Sequence, residues 1–277
     1  MTAAASATSP RAGGGFVRAV YVVWWRDVVR FWRDRARLVA SLAQPLLYLV
    51  VFGSGLSAAL GGTFGAAPGL SYTQFIYPGV ISMSVLFSAI FGGMSIVWDR
   101  EFGFMKELLV APIDRTAVAI GKTFGSATQS LVQGLVLLVL APLVGVTFTP
   151  MTFLEVLGLM IVLAFGLSAF GVAIASYMKS MQGFQVVMNF LMMPMFFLSG
   201  SLFPLVGLPL WMLVLTRLDP VSYGIDPIRR TVLGAPAERT AMTIADQIVP
   251  IGVEAAVVIG FGLVMLAIAA RAFQRRD

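Results

Sequence analysis

Apolar positions in this chain run in long unbroken blocks, and the polar ones collect between them. A helix that crosses a bilayer needs about 20 mostly apolar residues. Six blocks reach that length, at residues 38–60, 75–97, 117–146, 153–178, 183–203 and 248–270. Residues 16–37 follow another rhythm. Arg26, Arg30, Arg33 and Arg37 step by four, three and four, while Val17, Tyr21, Trp24, Val28 and Phe31 repeat that step on the opposite side. Such a pattern predicts an amphipathic interfacial helix, with its aromatic rings at headgroup level and its arginines towards water. Residues 1–15, rich in Ala, Ser, Thr and Gly, read as a disordered tail. The expected fold class is an all-α integral membrane protein, with an interfacial helix at 16–37 and a six-span domain over 38–277.

Composition agrees. Of the 277 residues, 58% are hydrophobic and 12% charged, about half the charged share of a soluble domain. Fifteen of the nineteen Lys and Arg fall before the first block, in the second and fourth loops, or in the C-terminal tail, and both termini are therefore expected in the cytoplasm. There is no histidine and no cysteine. That removes the commonest general base, thiolate chemistry and most zinc sites, so neither a catalytic residue nor a metal or cofactor site is expected.

The second loop reads Asp99, Arg100, Glu101, Phe102, Gly103, Phe104, Met105, Lys106, Glu107, Leu108 and onwards to Pro112. Phe102, Met105 and Leu108 share one helical face, Asp99 suits an N-terminal turn, and Pro112 stops the helix. Its apolar face fits either docking onto another protein or folding back onto the membrane. Gly121-Lys122-Thr123 is no phosphate-binding loop, because the glycine that motif needs is replaced by Thr116 and no strand precedes it.

The run from Asp99 to Arg115, followed by Gly121-Lys122, resembles the signature loop of the membrane subunits of type-2 ATP-binding-cassette (ABC) exporters, particularly the daunorubicin-resistance type. A second match covers Phe197-Leu198-Ser199-Gly200, Phe203-Pro204, Leu208-Pro209-Leu210-Trp211, Asp219-Pro220-Val221-Ser222-Tyr223-Gly224, Asp226 and Arg229. The departure is Asp219-Pro220, where the family has Asn-Pro. The resemblance implies a permease subunit of a bacterial inner-membrane exporter, working as a dimer with a second, identical permease. ATP and magnesium would be held by two copies of a separate cytosolic ATPase, gripped through a coupling helix at Asp99 to Pro112. It also implies short outer re-entrant helices before the last span, carrying Asp219, Pro220, Tyr223, Asp226 and Arg229.

Polar positions inside the blocks suggest where a path would run. Lys122, Ser126, Gln129 and Gln133 make one stripe on the third block, and Gln185 and Asn189, continuing to Met192 and Phe196, make another on the fifth. An unsatisfied amide in hydrocarbon is costly, so these stripes line either a translocation path or subunit interface, or ordinary interhelical hydrogen bonds. Glu254, an intramembrane acid, needs a partner or water. The Met- and Phe-rich stretch from Met178 to Phe197 favours a hydrophobic or amphipathic cargo such as a drug, antibiotic or lipid. A polysaccharide or glycolipid exporter of the same type is the alternative. A membrane-embedded enzyme fits poorly, because no block carries His, Cys or Asp.

Overall fold

The computed structural model describes residues 12–59, 71–103, 114–244 and 247–274. Helix α1 (Ala12–Arg33) starts within the expected tail and stops at Asp34, after which α2 (Arg35–Ala59) begins. Helix α3 (Tyr72–Gly92) opens on a capping box in which Ser71 and Gln74 satisfy each other's backbone amides. It runs on into α4 (Met94–Glu101), because Gly93 between them keeps right-handed helical angles. Helix α5 (Arg115–Val139) is capped by Asp114, helix α6 (Pro150–Tyr177) by Thr149 with Pro150 in its first turn, and helix α7 (Met181–Leu198) by Ser180. Then come the short α8 (Leu210–Leu218), α9 (Ser222–Leu233) and α10 (Ala235–Glu238). A two-residue hairpin of β1 (Thr243–Ile244) and β2 (Gln247–Ile248) follows, and the long α11 (Ile251–Gln274) completes the described chain.

Five stretches are long and apolar enough to cross a membrane: Leu38–Ala59, Tyr72–Glu101, Pro150–Tyr177, Met181–Leu198 and Ile251–Gln274. The third expected block differs. It ends at Val139 rather than residue 146, since Pro142 opens a tight turn that Gly145 closes at φ 79°. Its polar stripe also dilutes its hydrophobicity, so α5 is absent from that set although it has 25 residues. The second block is longer than expected, reaching Glu101.

Helices α3 and α6 occupy the centre, largely covered by protein, whereas α2, α7 and α11 form a mostly bare rim. The two central helices meet backbone to backbone. A Cβ on Gly171 would lie 2.5 Å from the carbonyl oxygen of Ile90, and one on Gly93 would lie 2.5 Å from that of Gly171. Helix α9 dips into the bundle, burying Ile225, Asp226, Ile228 and Arg229 against α3, α6 and α11.

Gly171→Leu should therefore force the central helices apart, at a cost of about 1–3 kcal/mol or more. Gly55→Ala, where a Cβ meets nothing within 4 Å, serves as the control. Thermal unfolding of the detergent-solubilised protein should fall by several degrees for the first and stay level for the second.

Candidate functional site

Asp99, Arg100 and Glu101 do not open a loop helix. They form the last turn of α4, and Phe102 and Gly103, the latter at φ 82°, turn the chain away. Phe104, Met105, Lys106, Glu107, Leu108 and Pro112 lie outside the described residues. The apolar sequence before Asp99 is continuous with α3, so the helix simply carries on past the expected boundary.

Each residue of that last turn fastens to a different neighbour. Asp99, buried, accepts from Lys122 Nζ of α5 at 2.7 Å and from Arg26 Nη2 of α1 at 2.7 Å. Arg100 donates to the carbonyl oxygens of Ser176 (3.1 Å) and Met178 at the C-terminal end of α6. Those carbonyls have no intrahelical partners and carry the negative end of the helix dipole, which a guanidinium complements. Glu101 does the converse: its Oε2 accepts from the Met181 amide, at 3.0 Å, at the positive start of α7.

Lys122 is the hub. Its side chain is 0% exposed, and Nζ also donates to Asp27 Oδ1 at 3.1 Å and Ser95 Oγ at 3.2 Å. Three helices, α1, α4 and α5, thus meet around one ammonium group. Asp27 went unnoticed in the sequence, yet a signal existed: it is one of only two acids before Asp99. The packing face of α1 takes in only part of the apolar set read from the sequence, Val28 and Phe31. Val17 and Tyr21 are exposed, and Ala19, Val23, Asp27 and Phe31 turn inward. Gly121 and Gly125 make room, with Val23 and Asp27 occupying the positions their side chains would fill.

The rest of the α5 stripe follows the same face. Ser126 packs on Gly92, Gln129 Nε2 donates to the Asp27 carbonyl at 3.4 Å, and Gln133 lines a cavity of about 230 Å³ between α2, α3 and α5. The stripe on α7 divides. Met192 and Phe196 are buried, Phe196 against Tyr48 and Phe87, whereas Gln185 and Asn189, nearer the Glu101 contact, are exposed. Part of the Met- and Phe-rich stretch is therefore core: Phe184, Met188, Met192 and Phe196 pack inward at four-residue spacing, and Met193 and Phe197 face out.

The opposite end of the bundle holds a second buried charge cluster. Asp226 and Arg229, three apart on α9 and so placed to pair, are both fully buried, and the partnership differs. Asp226 Oδ2 lies 3.1 Å from Arg230 Nε, four residues on, and also accepts from the Met242 amide at 3.2 Å. Arg230 binds Glu254 in the first turn of α11. Arg229 donates to the carbonyls of Gly200 and Ser201 and stacks 4.4 Å over the Phe75 ring, a desolvated cation–π contact worth about 2 kcal/mol. Burial pulls Arg229 down to about 10, so it stays charged at neutral pH. Tyr223 donates to the Arg217 carbonyl at 2.9 Å. Asp219, just before Pro220, has one oxygen accepting from the Val221 amide and the other buried without a hydrogen-bond partner. Burial pushes its pKa up to about 7, so at neutral pH the acid carries its proton about half of the time.

Lys122→Met leaves two buried carboxylates short of their shared cation and should cost about 3–5 kcal/mol; adding Asp27→Asn should recover part of it, as read from thermal unfolding. Asp219 gives a pH signature. Folded, it keeps its proton to about pH 7; unfolded, it releases it near about 4. The folded state binds the extra proton between those values, so stability falls as pH rises through that window. Asp219→Asn should flatten that slope in unfolding midpoints taken from pH 4.5 to 8.

Comparison with known proteins gives a consistent picture. The chain is 28% identical over 222 residues to the transport permease ycf38 of Cyanophora paradoxa, covering 77% of this chain and 74% of that protein. It is 27% identical over 242 residues to nodulation protein J of Rhizobium leguminosarum bv. viciae, covering 86% and 90%. To the inner membrane transport permease YadH of Escherichia coli strain K12 it is 28% identical over 218 residues, covering 78% and 83%. The profile of the ABC-2 type transporter family matches residues 18–233, from α1 through α9. That match covers well over half of the sequence, and the chain belongs to the ABC-2 type transporter family, whose members are membrane subunits partnered by a nucleotide-binding ATPase.

Proposed function

We propose that this chain is the permease half of an exporter that moves a hydrophobic or amphipathic compound outward, driven by ATP hydrolysed in a separate cytosolic subunit. The observation that carries the reading is the last turn of α4. Three consecutive residues, Asp99, Arg100 and Glu101, are tied to α1, α5, α6 and α7. A push delivered to the segment just beyond them reaches four helices at once through short charged contacts. Rigid-body switching of packed elements needs such a connection.

Helix α5, about 37 Å long at 1.5 Å per residue, has length enough to be a sixth span, with its polar face turned to α1 and α3. Six crossings put both termini on one side, and the density of arginines makes that side the cytoplasm. Helices α8 and α9 then cap the outer mouth, where Arg230 and Glu254 tie α9 to the last span. The bare rim of α2 and α7, with Gln185 and Asn189 uncovered in an otherwise apolar setting, fits an interface with a second permease copy and a path between the two.

Co-expression with a cognate ABC ATPase subunit provides the test. Asp99→Asn and Arg100→Gln should each lower permease-stimulated ATP hydrolysis and export about tenfold or more while the two subunits still co-purify. Unchanged stimulation in both variants would remove the coupling role. Because the native chain has no cysteine, Phe102→Cys should react with an impermeant maleimide only from the cytoplasmic side, and labelling from outside would invert the orientation.

A further inference from the structure

The cavity between α2, α3 and α5 has a chemistry of its own. Its walls carry hydroxyls and amides from Ser41, Gln44, Ser84, Ser88, Gln129 and Gln133, together with aromatic surface including Phe87, and no charged side chain lines it. Ser84 is 2% exposed, and its hydroxyl has no hydrogen-bond partner. A buried hydroxyl left unpaired costs about 1–3 kcal/mol, a cost that rotation of the shielded Ser84 hydroxyl towards a guest in the cavity would relieve. Gln133 is 5% exposed, so the two polar groups sit at the closed end. Gln44 marks the open side: it is exposed, and Leu47 and Val51 continue its face of α2 as bare apolar surface.

We infer that this cavity binds the uncharged, hydroxyl- or amide-bearing head of an amphiphile, whose apolar part lies along the Gln44–Leu47–Val51 face of α2. The inference rests on the export reading above and specifies the kind of molecule a single subunit holds. Size supports a head group: about 230 Å³ falls below the roughly 300–1,000 Å³ of sites that enclose a whole drug-sized ligand. Charge supports a neutral one. An anionic head here would be desolvated among neutral dipoles with no cation in the wall, which is costly. The ionic groups Asp27, Arg30 and Asp34 line an adjoining cavity of about 150 Å³ that shares Phe31 and Gln129. A head reaching the closed end would therefore rest on the α5 stripe one turn from the contact between Gln129 and Asp27, where occupancy and the Lys122 hub adjoin.

The test uses the full-length permease in phosphatidylcholine nanodiscs without nucleotide. Two photoreactive probes are compared, a diacylglycerol and a phosphatidic acid, with identical chains and a diazirine beside the head; sites are mapped by mass spectrometry. The diacylglycerol should label residues 83–91 or 129–133 about fivefold or more above phosphatidic acid. Ser84→Ala with Gln133→Leu should cut that labelling about fivefold, the loss expected from removing hydrogen bonds of ordinary strength. Gln44→Leu, at the exposed mouth, is read alone should the double variant fail to fold. Equal labelling by both probes, labelling confined to the bare rim, or labelling indifferent to the substitutions overturns the inference. Since no ATP is present, the cavity can fail while coupling through Asp99 stands, and the converse.

Discussion

A single ammonium group at the basic end of the bundle sets the arrangement of three helices. Lys122 has no water to solvate it, so two carboxylates from different elements must come to it, and both do. Such a constellation is weak as a source of net stability, because removing three charges from water offsets most of their attraction. It is strong as a specification of geometry. Any rotation of α1 or slip of α4 that parts Asp27 or Asp99 from Lys122 strands a buried charge. The direction of α1, the position of the last turn of α4 and the depth of α5 are therefore fixed together.

The two ends of the molecule solve the same problem differently. At the basic end, charges connect helices to one another, and half-exposed Arg26 and Arg30 keep the cluster in touch with water. At the other end, Arg229 is sealed against Phe75 and two carbonyl oxygens, with Asp226, Arg230 and Glu254 packed beside it. Between them the helices meet chiefly through apolar contacts and glycine, with neutral hydrogen bonds such as that from the Tyr77 hydroxyl to the Leu137 carbonyl and with the neutral polar cavity. Charge is thus confined to the two ends, where the family's membrane setting tolerates it.

Much of the fold is legible in the sequence, for a physical reason. Long apolar blocks have one inexpensive arrangement in a bilayer, a helix, and Pro, Gly and Ser or Thr caps mark its ends. The periodic stripe on α5 likewise announced a buried polar face, and Ser126, Gln129 and Gln133 all lie on it. Pairings were less legible. Asp226 chose Arg230 over Arg229 because Arg229 is drawn to the backbone carbonyls beyond Phe75. On α1 the apolar set read from the sequence divides, with Val28 and Phe31 buried and Val17 and Tyr21 exposed, and the one acid of the helix, Asp27, is the anchor. Ser41, Gln44, Ser84 and Ser88 are ordinary residues in apolar helices; only their convergence around one cavity gives them meaning, and convergence is a property of the tertiary structure.

The glycine junction between α3 and α4 carries a mechanical corollary. Gly93 rests on the backbone of Gly171 with no side chain interlocked on either part, so that contact resists rocking less than interdigitated packing would. Taken as a stiff rod seated there, the second span has unequal arms of about 12 Å to Glu101 and about 32 Å to Tyr72, at 1.5 Å per residue. Tilting about such a fulcrum multiplies a displacement at the short arm roughly two and a half times at the far tip, where the Tyr72 hydroxyl holds the carbonyl of Leu202.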